Sequence, residues 1–106
     1  MSLAPIYEVR MLRGPLGYAN YPRPCIVVSV RTTPTGALVA ALSTKDLSEP
    51  GQSFCIPSTH PDFAATGLKS SSYTAHPLRE VPMESLGAKR GVLQNELARE
   101  FKEWLG

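Results

Sequence analysis

An arginine held between two prolines is the side chain of this sequence best suited to binding an anion. Pro22-Arg23-Pro24 opens residues 25–30 (CIVVSV), the most apolar run of the chain. A guanidinium is always charged, and its planar fork of donors can bind two oxygens of a phosphate. The prolines restrict the backbone of Arg23, which reduces the entropy lost on binding. Arg23 is therefore a candidate phosphate ligand, and a salt bridge at the edge of a sheet is the alternative.

Ser43 and Thr44 are expected to lie beside Arg23. Residues 25–30 and 37–42 are apolar runs joined by RTTPTG, which supplies the proline and glycine of a turn. In an antiparallel hairpin, the start of the first strand lies next to the end of the second. A hydroxyl at that point could donate to the same anion, or it could satisfy backbone groups at a strand end. No histidine or acid adjoins either residue in sequence, so a serine nucleophile would lack its base.

The histidines are the side chains that titrate near neutral pH. His76 could serve as an acid or a base, although a single histidine before a proline is also compatible with a structural role. His60 lies in a proline-rich loop with Asp62 and is less suited to catalysis. His76 is therefore the candidate proton carrier.

The two cysteines, Cys25 and Cys55, have neither the CxxC spacing nor the histidine partners of a zinc site. Cys25 lies in an apolar run and is expected to be a small buried side chain. The sequence therefore predicts no metal site and no cofactor.

Composition and charge describe an ordinary globular protein. A chain of 106 residues, with 42% hydrophobic and 19% charged residues, suits a single domain spanning residues 1–106. The net charge is +2, and it is divided unevenly, with +4 in residues 1–45 and −2 in residues 46–106. This asymmetry is compatible with a surface that faces a polyanion, and equally with solvated loops. The chain shows no signal peptide and no apolar run of the roughly 20 residues that span a bilayer, so we expect a soluble, cytoplasmic protein without membrane contact.

Short strands dominate the predicted secondary structure, in keeping with ten prolines and eight glycines. Residues 6–11 alternate apolar and polar side chains, which predicts a half-buried strand. The continuous apolar run at residues 25–30 predicts a middle strand that is buried on both faces. Further strands are predicted at residues 37–42, 53–56, 70–76 and 78–81.

Loops and one helix complete the prediction. Residues 13–22 and 57–67 are expected to be irregular, and residues 85–93 to be a glycine-containing connection. The apolar side chains after that connection recur at helical spacing, and they are Leu93, Leu97, Phe101 and Trp104 or Leu105. An amphipathic helix of about three turns is predicted to start at Gln94 or Asn95, with Asn95 as a candidate N-cap. The predicted fold class is mainly β (α+β), with antiparallel strands and a C-terminal helix.

Four segments, taken in order, resemble the MazF/PemK family of toxins from toxin–antitoxin systems. They are PRPCIVVSV, ALVAALST, GLKSSSYTAHPLREV and LGAKRGVLQNELAREFKEWLG. Family members typically show an Arg-Pro pair entering an apolar strand, a strand ending in Ser or Thr, a G(L/F)xxxS stretch leading to a strand with an arginine, and a terminal amphipathic helix. The resemblance covers nearly all of residues 6–106.

The resemblance implies a small SH3-like or CcdB-like barrel that assembles as a homodimer. It further implies a metal-independent endoribonuclease that cuts single-stranded RNA and is silenced by a cognate antitoxin protein. Carried over by position, the arginine of the Arg-Pro pair is Arg23, and the hydroxyl residue is Ser43, or Thr44 if the register slips by one. The arginine of the later strand corresponds to Arg79.

The loop at residues 13–22 supplies further candidates for RNA contact. Tyr18 and Tyr21 could stack on bases, as aromatic side chains commonly do with single-stranded RNA, or they could seal a dimer interface. Arg13 and Arg79 are expected to contact the RNA backbone.

The chain departs from the family pattern at three points: Ala4-Pro5-Ile6 replaces the usual Arg-Gly-Asp, the loop between Met11 and Arg23 lacks a Gly-Ser-Glu element, and the third concerns His76. His76 stands where many family members have an acidic residue. This departure keeps open a non-catalytic barrel that binds RNA or a partner protein, and a gyrase-poisoning toxin of the same fold is a third alternative.

Overall fold

A computed structural model describes residues 7–12, 23–32, 35–44, 53–75 and 78–106, except for the side chains of residues 31, 32 and 35. These residues form seven strands, one α-helix and two short 3₁₀ turns at Ala64–Thr66 and Met83–Ser85. In chain order the elements are β1 (Glu8–Leu12), β2 (Arg23–Thr32), β3 (Thr35–Ala41), β4 (Ser53–Ile56), β5 (Ser72–Ala75), β6 (Arg79–Val81), β7 (Leu86–Val92) and α1 (Asn95–Leu105).

The strands form two antiparallel sheets. The larger sheet has five strands in the order β6-β3-β2-β1-β7, and the smaller sheet pairs β4 with β5. Within the described part of the chain, one antiparallel bridge, between Ser43 and Tyr73, joins the two sheets. The predicted fold class is confirmed: the protein is a mainly β, barrel-like α+β fold with a C-terminal helix, and β2 is the middle strand of its larger sheet.

Pro24 explains why β3 leaves β2 and joins the second sheet. The carbonyl of Pro24 accepts a hydrogen bond from the amide of Leu42, at 3.0 Å. In an antiparallel strand the N–H and C=O of one residue point to the same side, so the return bond to Leu42 would need an N–H that proline lacks. Pairing of β2 with β3 weakens at this point. The next residue, Ser43, makes its backbone bonds to Tyr73 instead, at 2.9 and 2.7 Å.

Both faces of the larger sheet are covered in its central part. One face packs against the helix through an aromatic and aliphatic core around Ile26, Leu97 and Phe101, each with no exposed surface. The other face holds a smaller core whose buried members are Leu12, Cys25, Val27, Ala37, Val39 and Val81. We call the first the helix face, because α1 packs on it, and the second the open face. The second name means only that α1 does not pack there.

The prediction that residues 25–30 are buried throughout is wrong in its second half. Cys25, Ile26 and Val27 are buried, but Val30 is 55% exposed. Among the described residues, β1 pairs with β2 only from Arg23 to Ile26, so β2 beyond that point is flanked by β3 alone. An apolar, β-branched run indicates a strand, and it does not fix how far the neighbouring strands extend.

Residues 85–93 are not the predicted connection, since most of them form strand β7, which pairs with β1. Gly91 does not serve a turn there. A Cβ atom at Gly91 would lie 2.1 Å from the carbonyl oxygen of Ala65, and one at Gly67 would lie 2.3 Å from that of Arg90. Gly67 also has a φ of +71°. The two glycines let the backbone of the 3₁₀ turn at Ala64–Thr66 lie directly against β7.

The helix confirms the predicted amphipathic pattern and corrects its N-cap. Leu97 and Phe101 are fully buried, and Glu96 pairs with Arg99 one turn later. Asn95 is the first helical residue rather than the cap, with a φ of +52° that asparagine tolerates better than most residues. The N-cap residue is Gln94, whose side chain makes no capping hydrogen bond. Asp62, in residues 57–67, bonds to the helix start instead, since its carboxylate accepts from the Asn95 side chain and from the Leu97 amide, both at 3.3 Å. Among the described residues, no helix has the length and apolar character to cross a membrane.

Replacing Thr74 with valine is expected to stabilise the protein by about 1 kcal/mol. The Oγ1 of Thr74 is buried and has no hydrogen-bond partner among the described residues, whereas Thr66 Oγ1 both donates to the Phe63 carbonyl and accepts from the Leu68 amide. Urea unfolding followed by fluorescence of Trp104, the single tryptophan, measures the change. Thr66→Val is the matched control and should lose about 1–3 kcal/mol. Equal losses in both variants would contradict the assignment.

Candidate functional site

Five side chains follow one another across the strands on the open face. The register pairs Leu12 with Arg23, Tyr73 with Cys55, and Ser43 with Tyr73. Cys25 pairs with Ala41, so the same register places Arg23 directly opposite Ser43. We call this series, Leu12, Arg23, Ser43, Tyr73 and Cys55, the cross-strand row. Its centre is the end of β3, where the two sheets meet.

Arg23 and Ser43 form the type of cross-strand pair in which the two side chains lie closest together. The backbone groups of Ser43 are used on the side of Tyr73, so Arg23 and Ser43 form a non-hydrogen-bonded pair. In such pairs the Cα atoms lie about 4.5 Å apart and the side chains are nearest to each other. Thr44, the alternative to Ser43, follows in a bend as an exposed residue. The fold therefore brings Arg23 and Ser43 together, as the hairpin argument predicts.

Alternation along the strands confirms that the row lies on the open face. Leu42, Phe54 and Thr74 are buried on the helix side, and their chain neighbours Ser43, Cys55 and Tyr73 point the other way. Arg23 is half-buried, as are Ser43 and Tyr73, whereas Cys55 is exposed. A half-buried arginine is shielded from water over part of its surface. This shielding makes its attraction for an anion stronger than that of a fully solvated cation.

Further cations accompany Arg23 on the open face. Arg10 pairs with Cys25, which lies two residues after Arg23 in β2. Its side chain donates to a carboxylate oxygen of Glu8 at 3.0 Å and to the Gly87 carbonyl at 3.2 Å. Lys89 also reaches Glu8, at 3.3 Å. The hydrogen bond from Arg10, followed by that from Lys89, holds the pKa of Glu8 below its usual value against the opposing effect of burial. The carboxylate therefore stays ionised and offsets one of these two positive charges.

Arg79 lies on the same face, further from the row. It pairs with Val39, four residues before Ser43 along β3, and its side chain is exposed. At a rise of about 3.4 Å per residue, that displacement exceeds 10 Å. Arg23 and Arg79 are therefore two separate positive positions on this face of the sheet.

Four of the predicted site residues lie outside the described part of the chain. They are Arg13, Tyr18, Tyr21 and His76.

His60 is described, and it lies away from the row. Its Nε2 contacts a carboxylate oxygen of Glu100 at 2.8 Å, and its Nδ1 accepts the amide hydrogen of Asp62 at 3.0 Å. With Nδ1 as an acceptor, the ring donates from Nε2 to Glu100. Because Glu100 belongs to the helix, His60 ties residues 57–67 to α1 on the helix side of the sheet. This is a structural role, in line with the low catalytic suitability predicted from its sequence context.

The two cysteines differ sharply in their surroundings. Cys25 is fully buried beside Arg23, and burial raises the pKa of its thiol to about 12 despite the nearby Arg10. Cys55 is exposed at the end of the cross-strand row. Among the described residues, no group of three histidine, cysteine or carboxylate side chains is placed to hold a metal ion.

One thiol should therefore react in the native protein. The thiolate is the reactive form, and a buried thiol with so high a pKa supplies almost none at pH 8. A chromogenic disulfide reagent should titrate one thiol before denaturation and both of them after it, and none should react in native Cys55→Ser. Because the folded pKa of Cys25 is raised, stability should fall as the pH rises above the ordinary thiol value. Rapid reaction of both thiols in native protein would contradict the burial of Cys25.

Three members of the row, Leu12, Tyr73 and Cys55, are not identified as site residues from the sequence. Tyr73 lies in the polar stretch SSSYTAH, which has no apolar alternation to show which side chains face outwards. Cys55 carries no motif. Their positions depend on the Ser43–Tyr73 bridge, a contact between distant parts of the chain that no local pattern encodes. The row combines a cation and a hydroxyl, the types of donor that an anion accepts from, with an aromatic side chain.

Comparison with known proteins neither supports nor opposes the family resemblance. No model of a known protein family matches the chain, and no curated protein matches it significantly.

Proposed function

We propose that the protein is a metal-independent endoribonuclease that cuts single-stranded RNA. The observation that carries this proposal is the pairing of Arg23 with Ser43 at the centre of the cross-strand row. A guanidinium beside a hydroxyl offers several donors to one phosphate group. Such fixed donors are what a phosphate needs when negative charge builds up on it during a reaction.

The chemistry we propose is internal transesterification. The 2′-oxygen of the ribose attacks the adjacent phosphorus as its proton passes to a base, and the bond from phosphorus to the 5′-oxygen breaks. That leaving oxygen takes a proton from an acid, so the products are a 2′,3′-cyclic phosphate and a free 5′-hydroxyl. Arg23 would stabilise the charge on the phosphorane, and Ser43 would orient it by donating a hydrogen bond.

The proton carrier of this reaction is assigned on sequence grounds. His76 is the proposed acid or base, because an imidazole changes charge near neutral pH. His60 is not a second candidate, since both of its ring nitrogens are engaged on the helix side of the sheet.

Assembly and biological role belong to the same proposal. The resemblance of four sequence segments to the MazF/PemK family supports a toxin that acts as a homodimer in the cytoplasm and is silenced by a cognate antitoxin. Arg79, together with Arg13, Tyr18 and Tyr21, would extend the RNA contacts beyond the phosphate bound at Arg23. The positive charge of the first half of the chain suits such a polyanionic ligand.

A non-catalytic RNA-binding barrel is the second candidate, and the composition of the row favours it. The row contains no carboxylate and no imidazole, so binding groups are present without a proton carrier among them. Such a protein would retain single-stranded RNA with an affinity that falls as salt rises, and it would release no product.

The deciding experiment is incubation of the purified protein with single-stranded RNA in EDTA. The proposal expects cleavage to fragments ending in 2′,3′-cyclic phosphates, and no cleavage of the same sequence made with 2′-deoxy sugars. Retention of intact RNA would select the binding protein. A protein that neither binds nor cuts RNA would contradict both candidates.

A further inference from the structure

The ring of His60 is engaged at both of its nitrogens. Nδ1 lies 3.0 Å from the amide nitrogen of Asp62, and because that amide can only donate, Nδ1 must be the acceptor. The ring proton is then on Nε2, which donates to a carboxylate oxygen of Glu100 at 2.8 Å. The side chain of His60 is 12% exposed, so water has little access to replace either partner. These contacts fit a neutral imidazole in one of its two tautomers.

A second proton on this ring would remove the hydrogen bond from the Asp62 amide. Nδ1 would become a donor, and it would face the Asp62 N–H, which is a donor as well. An acceptor is close, since the carboxylate oxygen Oδ2 of Asp62 lies 3.8 Å from Nδ1. That distance is too long for a hydrogen bond, and a small rearrangement of residues 60–62 would close it.

The same carboxylate oxygen bonds to the start of the helix. Asp62 Oδ2 accepts from the Leu97 amide, in the first turn of α1, at 3.3 Å. Gln94, the N-cap residue, makes no capping hydrogen bond with its side chain, so the bond from Leu97 depends on Asp62. A protonated ring and a helix amide would therefore compete for one oxygen. The ring is the stronger competitor, since it brings a full positive charge to the hydrogen bond and the amide does not.

Partners for a protonated ring are already in place. Within the described part of the chain, the charged groups that contact the ring are Asp62, from its own segment, and Glu100, from α1. Strand β7 also packs against residues 57–67, and it meets them at Gly67, beside the backbone of Arg90. Glu100 would keep its bond to Nε2, and Asp62 would accept the new one from Nδ1. Both N–H groups of the ring would thus have a carboxylate partner.

We infer that His60 is a pH-sensitive switch at the start of α1. When its ring takes up a proton, the Asp62 carboxylate moves from the Leu97 amide to Nδ1, and the first turn of the helix loses that hydrogen bond. Histidine suits such a switch because its charge changes near neutral pH. The inference is independent of the proposed function, since it involves neither Arg23 nor a ligand of the open face.

Nuclear magnetic resonance of the whole protein between pH 5.0 and 7.5 tests the inference. The signal of the His60 ring proton on Cε1 reports protonation of the ring, and hydrogen exchange of the Leu97 amide reports its bond to Asp62. As the ring protonates, the Leu97 amide should exchange about fivefold faster than the pH dependence of an unstructured amide predicts, the usual effect of losing one side-chain bond at a helix start. The two changes should share one midpoint.

His60→Asn is the matched control. An asparagine side chain can accept the amide hydrogen of the second residue after it, as Nδ1 of His60 does, and it does not titrate. Exchange of the Leu97 amide should then follow the pH dependence of an unstructured amide throughout the range. Far-ultraviolet circular dichroism and the thermal transition confirm that the variant is folded, and the wild-type titration is decisive without it.

Three results would overturn the inference. The first is a His60 ring that titrates while exchange at Leu97 keeps the pH dependence of an unstructured amide. The second is a ring that takes up no proton across the range. The third is an equal change at Leu97 in folded His60→Asn, which would assign the effect to another group. None of these results changes the expectation for RNA cleavage, so the proposed function is tested separately.

Discussion

Replacement of Arg23 by alanine is expected to lower the rate of RNA cleavage by about 10²–10³-fold, the loss that follows removal of one fixed donor to a developing negative charge. The guanidinium is held by the middle strand of the larger sheet, opposite Ser43, so no other side chain of the row can replace its charge. The measurement is the single-turnover rate on single-stranded RNA in EDTA, compared with wild type at saturating protein.

Two further variants show whether the loss reflects the geometry of Arg23 or its charge alone. Arg23→Lys keeps the charge and removes the planar fork, so it should recover only part of the rate. Arg99→Ala changes the net charge by the same amount as Arg23→Ala. It should cleave at the wild-type rate, because the cation it removes is exposed on the helix side. Cleavage by Arg23→Ala as fast as by wild type would exclude Arg23 from the reaction.

Replacement of Gly91 by alanine is expected to have the largest effect on stability, a loss of about 3 kcal/mol from the free energy of unfolding. The new Cβ would lie 2.1 Å from the carbonyl oxygen of Ala65 and 2.5 Å from the carbonyl carbon of Thr66. Both are backbone atoms, and Thr66 is fully buried, so the 3₁₀ turn would have to move away from β7. Urea unfolding followed by Trp104 fluorescence gives the change in free energy.

Gly36→Ala is the matched control, because Gly36 also lies in a strand. A Cβ there would lie 3.2 Å from the carbonyl oxygen of Val81, a contact that a shift of a few tenths of an ångström relieves. The control should change stability by less than about 1 kcal/mol, since alanine also lowers the entropy of the unfolded chain. If Gly91→Ala were as mild as Gly36→Ala, the close packing of the turn against β7 would be wrong.

The sequence predicted the strands that carry strong local patterns. The apolar runs of β2 and β3, and the helical repeat that buries Leu97 and Phe101, were identified because periodicity and β-branched side chains determine such elements. β7 was missed because its residues, LGAKRGV, combine two glycines with a polar centre and have little intrinsic preference for a strand. Pairing with β1 and the approach of the 3₁₀ turn make it a strand, and both are tertiary contacts.

The sequence predicts the part of the candidate site that lies within one hairpin. Arg23 and Ser43 could be placed together because one short turn connects their strands, and antiparallel pairing then fixes which ends meet. Tyr73 could not be placed, since it reaches Ser43 through a bridge between two sheets. The helix start follows the same rule: the local sequence indicates a start at Gln94 or Asn95, but the Leu97 amide bonds to Asp62, which lies in a distant loop.

The bridge between Ser43 and Tyr73 affects the order in which the residues of the cross-strand row come together during folding. Closing a longer loop costs more entropy, and contacts between residues close in sequence form faster. The β2–β3 hairpin, which brings Arg23 to Ser43, needs only its own turn. Tyr73 arrives after the intervening chain has been closed into the second sheet. We therefore expect Arg23 and Ser43 to come together during folding before Tyr73 joins the row.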